Sequence, residues 1–426
     1  MSISESYNSI SQCNRCGFCQ AACPVFRSTG HESGVARGRL ALLRAIVEDR
    51  LDWSQDLEDP LFDCLLCGAC TANCFPAIPT ADLMVGARSE YLNRVGRKPI
   101  HRLLFEHLLP YPRRLRAAAR SVSLGKRTGV SRLSQALGLL KIFGQDALLV
   151  DGAIDQLAIP AFREKYKPGM YPGIVGRSGG NEGRSGSNEE LPRIGYFVGC
   201  GADLLNPRAT EATFDILKTI AKSVTVMDNC CCGLPAQVYG DIGAAQALAE
   251  KNLEALSGKT FDLLVTDCAS CASFLKKYPS LFPKEGARFQ QAEQIATKVR
   301  DIVEMLAETK HTDRSDDRTL IVTYHDPCHA SRGQGLVKEP RAFLKALPGI
   351  EFREMPEADW CCGGAGAYAL SHRDLSARIL DRKIENLKTT GADVLVTSCP
   401  ACILHLSHGI RRHGLPVTVR HISEMV

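Results

Sequence analysis

The chain has 426 residues, of which 45% are hydrophobic and 23% charged, with a formal net charge of +5. That is the balance of an ordinary globular protein with room for about two to four domains, and no apolar run approaches the roughly 18 residues of a membrane-spanning helix. Nineteen cysteines are the departure; with a polar Met1–Gln12 lacking the apolar core of a signal peptide, they are expected in a reducing, cytoplasmic compartment where thiols stay available to metals.

In chain order the first feature is a pair of thiol runs, Cys13, Cys16, Cys19 and Cys23 before Pro24, then Cys64, Cys67, Cys70 and Cys74 before Phe75-Pro76. Each reads C-x2-C-x2-C-x3-C, which resembles the run that holds [4Fe–4S] cubanes in bacterial-type ferredoxins. Two-residue gaps on a tight loop let three thiolates converge, while the fourth is carried away toward the other cluster. The resemblance implies Cys13, Cys16, Cys19 and Cys74 around one cluster, and Cys64, Cys67, Cys70 and Cys23 around the other. Zinc and disulfides are the competing readings; zinc sites usually pair two C-x2-C knuckles instead of running four cysteines together. Phe75 is an insertion into the usual Cys-Pro, and no cluster loss is expected from it.

Between the runs, 35–50 has helical periodicity: Leu40, Leu43, Ile46 and Val47 form one stripe, with Arg39, Arg44, Glu48 and Asp49 off it. Arg37 and Arg39 read either as a solvated face or as positive charge that tunes a nearby cluster. Residues 94–141 carry twelve basic residues, from Arg94 to Lys141, against the single acid Glu106. They are interleaved with apolar patches at 103–109 and 137–143. Such a segment suits an anionic membrane surface or an acidic partner subunit, a plain solvated face being the alternative. Nucleic acid is not expected, since aromatics are not interleaved. Residues 173–191 are rich in Gly, Ser and Asn and read as a flexible linker.

The C-terminal half is a repeat. Cys200, Cys231-Cys232-Gly233 and Cys268-Ala269-Ser270-Cys271 recur as Cys328, Cys361-Cys362-Gly363 and Cys399-Pro400-Ala401-Cys402, at offsets of 128 (200 to 328), 130 (231 to 361) and 131 (268 to 399). Strands are expected at 193–198, 263–266, 320–324 and 394–397, with helices at 243–256 and 374–387, implying parallel α/β units. The cysteines then fall at or near the carboxyl ends of strands, where ligands bind in such sheets. Cys230 has Trp360 in its place in the second copy and reads as a spare buried thiol. His325, His329, His405 and His408 flank the second copy's cysteines; they read as structural groups, hydrogen-bond donors to sulfur, or proton carriers.

This pattern of lone Cys, CCG and C-x2-C resembles the cysteine-rich CCG domain found in heterodisulfide reductase. The whole order resembles the iron–sulfur subunits of glycolate oxidase and FAD-linked D-lactate dehydrogenase, including Arg37-Gly38-Arg39 and the stretch Trp360–Leu370. The resemblance implies an α+β, two-cluster ferredoxin-like module of helical type (1–93), a basic helical link (94–172), the linker (173–191), and a duplicated α/β module (192–310 and 319–426) with pseudo-twofold symmetry. It implies two [4Fe–4S] clusters and one or two further iron–sulfur groups, of non-cubane type, on Cys200, Cys231, Cys232, Cys268, Cys271, Cys328, Cys361, Cys362, Cys399 and Cys402. Zinc, bare redox thiols or structural cysteines are the alternatives at these ten. The implied function is electron transfer from a FAD-containing dehydrogenase subunit, acting on glycolate or D-lactate, toward quinone or another carrier, at the cytoplasmic face of the membrane. A thiol–disulfide reductase, or the iron–sulfur subunit of an anaerobic glycerol-3-phosphate dehydrogenase, are the alternatives. No catalytic residue of the chain itself stands out.

Overall fold

A computed structural model describes residues 3–128, 160–174, 191–309, 319–366 and 368–426. The described part of the N-terminal module is helical and strand-free. The α+β character expected there is thereby corrected: the segments between thiol runs are spaced for helices, and no β-branched alternation offers a strand. The helix Ala36–Val47 buries Leu40 and Leu43 against Leu61, Leu83 and Met84, the last two on the helix Thr80–Val95. Cys13, Cys64 and Cys74 pack against the same core.

Nine strands form two sheets among the described residues. The first contains β1 (Gly169–Pro172), β2 (Arg193–Tyr196), β3 (Ser223–Val226), β4 (Leu263–Thr266) and β5 (Val299–Asp301), in the order β1-β3-β2-β4-β5. The second contains β6 (Leu320–Tyr324), β7 (Ile350–Phe352), β8 (Val394–Thr397) and β9 (Thr418–His421), in the order β7-β6-β8-β9. All pairings are parallel except β1 with β3. The parallel strands are buried runs such as Leu263–Thr266 and Val394–Thr397, as sheets covered on both faces require.

The strand at β1 was not expected. Its Gly-Met-Tyr-Pro sequence has poor strand propensity, and it forms as an antiparallel edge. With Phe162, which packs against Tyr196 and Phe214, it brings 160–174 into the first repeat and not the basic link.

The carboxyl ends of the two sheets meet. The helix Ala269–Lys276 packs on the helix Cys328–Gln334, and the helix Cys200–Leu205 packs on Pro400–Arg412. Ala269 N donates to Ser398 O at 3.1 Å, and Thr213 Oγ1 to Ser423 Oγ at 2.7 Å. A buried seam crossed by a backbone hydrogen bond and by side-chain hydrogen bonds makes the repeats one body.

The basic link is tied down more than its sequence suggests. Arg97 pairs with Asp241 at 2.7 Å, Arg116 with Asp203 at 3.1 Å, Arg120 with Glu164 at 2.7 Å and Lys98 with Glu58 at 3.1 Å. Phe105 and Leu109 are buried against the first repeat. This half of the expected docking patch is core, and several of its cations are neutralised within the chain. The second apolar patch, 137–143, with Arg132 and Lys141, lies outside the described residues, as does nearly all of the linker. No helix among the described residues is long and apolar enough to cross a membrane.

Candidate metal centre

The two N-terminal loops share one backbone. Arg15 and Gly17 in the first, and Leu66 and Gly68 in the second, all have positive φ, and each glycine precedes a short helix. The left-handed turns wind the chain tightly, so successive thiols face a common centre. Cys64, Cys67 and Cys70 line one cavity together with Cys23, which comes from the end of the first run. The first loop brings Cys19 beside Cys13 and Cys23, while Cys16 is exposed. Phe75 is 93% exposed, so the insertion takes nothing from the core.

Arg39 and Arg88 support the second loop. Arg39 is 3% exposed and lines the same cavity; its Nε donates to Pro60 O at 2.6 Å, and its Nη2 has no hydrogen-bond partner. The solvated face expected for Arg39 is thus corrected. An arginine off the apolar stripe of its helix is buried because its long stem carries the charge to a carbonyl and a thiol cluster. Arg37 does remain at the surface, paired with Glu32 at 2.5 Å. Arg88 donates to Leu61 O at 3.0 Å, to Cys64 O at 2.6 Å and to Val238 O in the first repeat. Burial pulls the Arg88 guanidinium down to about 10. No motif marked Arg88, because its role arises only from the tertiary contact.

In the repeats the CCG glycine again has positive φ, 100° at Gly233 and 88° at Gly363. A Cβ on Gly363 would lie 3.0 Å from Ser376 O, so this turn cannot carry another residue without moving the following helix. The ten expected thiols fall into two groups that touch. In the first repeat Cys200 Sγ is 3.5 Å from Cys231 Sγ, Cys232 is bonded by both Cys231 and Cys271, and Cys271 reaches Cys268. In the second, Cys328 meets Cys361, Cys361 meets Cys362, Cys362 Sγ is 3.6 Å from Cys402 Sγ, and Cys402 reaches Cys399. Cys268 and Cys399 bond to each other across the seam, and Cys361 bonds to Cys67 of the N-terminal module. All nineteen cysteines are free thiols, so the disulfide reading has no support.

Thiols this close share protons. Hydrogen bonds from Cys231 and Cys271 hold Cys232 down at about 5, whereas burial pushes Cys70 up to about 12. A cluster of thiols that must lose protons together is what metal binding resolves. Cys230 stands apart, buried and bonded to Leu248 O and Asn252 Oδ1.

The histidines divide. His325 is 1% exposed, with no oxygen or nitrogen partner for either ring nitrogen, and its ring lies beside the Cys362 thiol, within 4.8 Å of both Cys362 Sγ and Cys402 Sγ. His329 Nδ1 is 3.2 Å from Ser270 Oγ and 3.8 Å from Cys328 Sγ. His405 Nε2 is 3.1 Å from Ser376 Oγ. Lys383, buried and bonded to the Glu357 and Ala358 carbonyls, sits near Cys362, and burial lowers it to about 8. The unpaired Arg39 Nη2 and the His325 ring, each aimed at thiols, fit a group carrying both metal and acceptor atoms, which an iron–sulfur cluster is.

The comparisons agree with this arrangement. Residues 9–78 match the 4Fe-4S dicluster domain, 194–276 and 322–407 the cysteine-rich domain, and 96–148 the linker region of the glycolate oxidase iron-sulfur subunit. A probable glycolate oxidase iron-sulfur subunit of Bacillus subtilis is 28% identical over 425 residues, 97% of this chain and 92% of the relative. The chain is thus similar, along nearly its whole length, to a probable glycolate oxidase iron–sulfur subunit. Lactate utilization protein A 2 of Bacillus mycoides is 28% identical over 55% of this chain and 98% of its own length. A subunit of the CoM/CoB fumarate reductase of Methanothermobacter marburgensis is 34% identical over 55% of this chain and 46% of its own. The matched domains set a 4Fe-4S dicluster domain ahead of paired cysteine-rich domains in this chain.

Proposed function

We propose that the chain is the iron–sulfur subunit of a FAD-dependent 2-hydroxyacid dehydrogenase acting on glycolate or D-lactate. A separate flavoprotein takes the hydride equivalent from the substrate, and this chain conducts the electrons toward quinone or another acceptor. Iron–sulfur clusters supply the one-electron steps when bound. The observation that carries the reading is the unbroken succession of thiols from the N-terminal module to the far repeat. It runs from Cys67 to Cys361 and Cys362, through Cys402 and Cys399, across to Cys268, and on through Cys271, Cys232 and Cys231 to Cys200.

In this reading Cys13, Cys16, Cys19 and Cys74 hold one cubane, and Cys23, Cys64, Cys67 and Cys70 the other, in a helical ferredoxin-like module. The five thiols of each repeat hold a further, non-cubane group, and the repeats are related by a pseudo-twofold axis. Support for the axis comes from the matching strand orders and the reciprocal helix contacts at the seam. The chain works at the cytoplasmic face of the membrane, with the exposed remainder of its basic link as the peripheral contact.

Anaerobic purification with iron and sulfide counts and EPR of oxidised and reduced samples tests the scheme. About sixteen irons, with signals beyond those of cubanes, supports it. About eight irons, all cubane, would confine electron transfer to the N-terminal module and leave the repeats as a zinc or docking domain. A second reading, a thiol–disulfide reductase, is favoured by the meeting of Cys268 and Cys399 beside His329. Disulfide turnover by the isolated chain with a reduced viologen would establish it in place of the first.

A further inference from the structure

The two repeats have the same thiols but not the same walls. Phe197 N donates to Val265 O at 2.9 Å, and His325 N donates to Val396 O at 2.9 Å, each residue standing three positions before its repeat's lone cysteine. These are equivalent places, buried in both copies. The first repeat therefore has an apolar ring where the second has an imidazole. A phenyl ring needs nothing there. An imidazole buried with no polar neighbour but the Cys362 thiol is a costly arrangement unless something absent from the protein chain completes it.

We propose that His325 is a ligand of the iron held by the second repeat and shares one iron atom with Cys362 and Cys402. The first repeat's group would then be bound by thiolates alone. The two sulfurs are spaced for a common atom, and the imidazole lies close enough to join them after a small shift. Two donors on one tetrahedral ion, with bond lengths of roughly 2.0–2.3 Å, lie roughly 3.3–3.8 Å apart. Cys362 Sγ and Cys402 Sγ are 3.6 Å apart, and the three ligand atoms lie within 4.8 Å of one another. Imidazole is a good iron ligand. His405 is the nearby rival, but its Nε2 already faces Ser376 Oγ. His329 is likewise engaged, by Ser270. An imidazole added to the same five thiols, where the first repeat has only the Phe197 ring, changes the iron's ligand set and so its potential, and the duplicated thiols would not make the second repeat a copy of the first.

The inference rests on iron being present in the second repeat, and its test separates the two claims. The full chain, purified anaerobically and labelled with 15N-histidine, is examined by pulsed EPR, the second repeat's signal being the one lost in Cys362→Ser. A directly bound 15N coupling on that signal, absent in His325→Phe and kept in His405→Asn and His329→Asn, is expected. The signal from the first repeat should be unchanged in His325→Phe. A second-repeat iron signal without bound nitrogen, or with nitrogen that survives His325→Phe, overturns the inference and leaves the iron reading intact. Iron content and spectra indifferent to Cys362→Ser would overturn both. If His325→Phe fails to load iron, the wild-type spectrum still decides whether nitrogen is bound, and the His405 and His329 variants decide which ring supplies it.

Discussion

The thiols of Cys67 and Cys361 hydrogen-bond to each other, one from an N-terminal loop and the other from the last CCG turn. Tyr368 OH, donating to Asp63 O at 3.1 Å, and Arg332, donating to Cys67 O at 3.4 Å, hold the same joint. The N-terminal module thus docks its second loop on the second repeat, and among the described residues its thiols meet the first repeat's through it. The order of sites in space differs from their order in the chain.

If that joint is an electron path, a lesion at one site should be felt at the other. Cys67→Ser is expected to lose about four irons and also to shift the second repeat's EPR signal. Cys16→Ser, at an exposed position away from the joint, should lose about as many and leave that signal alone. Equal effects of the two variants on the second repeat would remove the case for coupling through Cys67 and Cys361.

Arg39 places a buried positive charge and an unpaired donor beside Cys23, Cys64, Cys67 and Cys70. Hydrogen bonds to charged groups are worth roughly 1.5–3 kcal/mol, which for one electron is roughly 60–130 mV. Arg39→Leu should lower the midpoint potential of the adjacent group by that order, without changing iron content. A redox titration followed by EPR measures it. An unchanged potential would mean that Arg39 serves only to fasten Pro60.

Much of this site is legible in the sequence, and what is not has a physical reason. Thiol spacing is local information, so the N-terminal runs and both CCG sets can be found without coordinates. The strands Leu263–Thr266 and Val394–Thr397 are readable because buried parallel strands are short apolar runs. Nothing local places Cys361 against Cys67, turns Arg39 inward, or distinguishes a histidine at the sheet end from its phenylalanine counterpart. These depend on segments far apart in sequence, as do the ion pairs that draw Arg97 and Arg116 out of the basic patch.

Arg88 joins the N-terminal module to the first repeat by bonding four carbonyls, those of Leu61, Phe62, Cys64 and Val238. Arg88→Ala would leave several buried acceptors unpaired, at about 1–3 kcal/mol each. A loss of about 3–5 kcal/mol is expected, seen as a lowered midpoint in thermal or denaturant unfolding. Arg88→Lys should recover little, because an ammonium cannot reproduce the planar fork. Full rescue by lysine would show that charge alone matters at this joint.

Asp301 offers a test by pH, away from the thiols. It ends β5 and caps the helix Ile302–Ala307, its carboxylate accepting from Val303 N at 3.1 Å and Gln334 Nε2 at 3.0 Å. Burial nevertheless dominates and raises it to about 7. A carboxyl that holds its proton in the folded state and loses it in the unfolded one stabilises the fold at low pH. Its contribution falls as pH rises from the unfolded value near 4 to about 7, by at most about 1.4 kcal/mol per pH unit. Asp301→Asn keeps a capping oxygen and cannot ionise, so its unfolding temperature should lose this slope between about pH 5 and 7 and exceed that of the unsubstituted chain at about pH 8. Parallel pH profiles for the two proteins would show that Asp301 is ionised in the fold and that its hydrogen bonds, not its burial, set its charge.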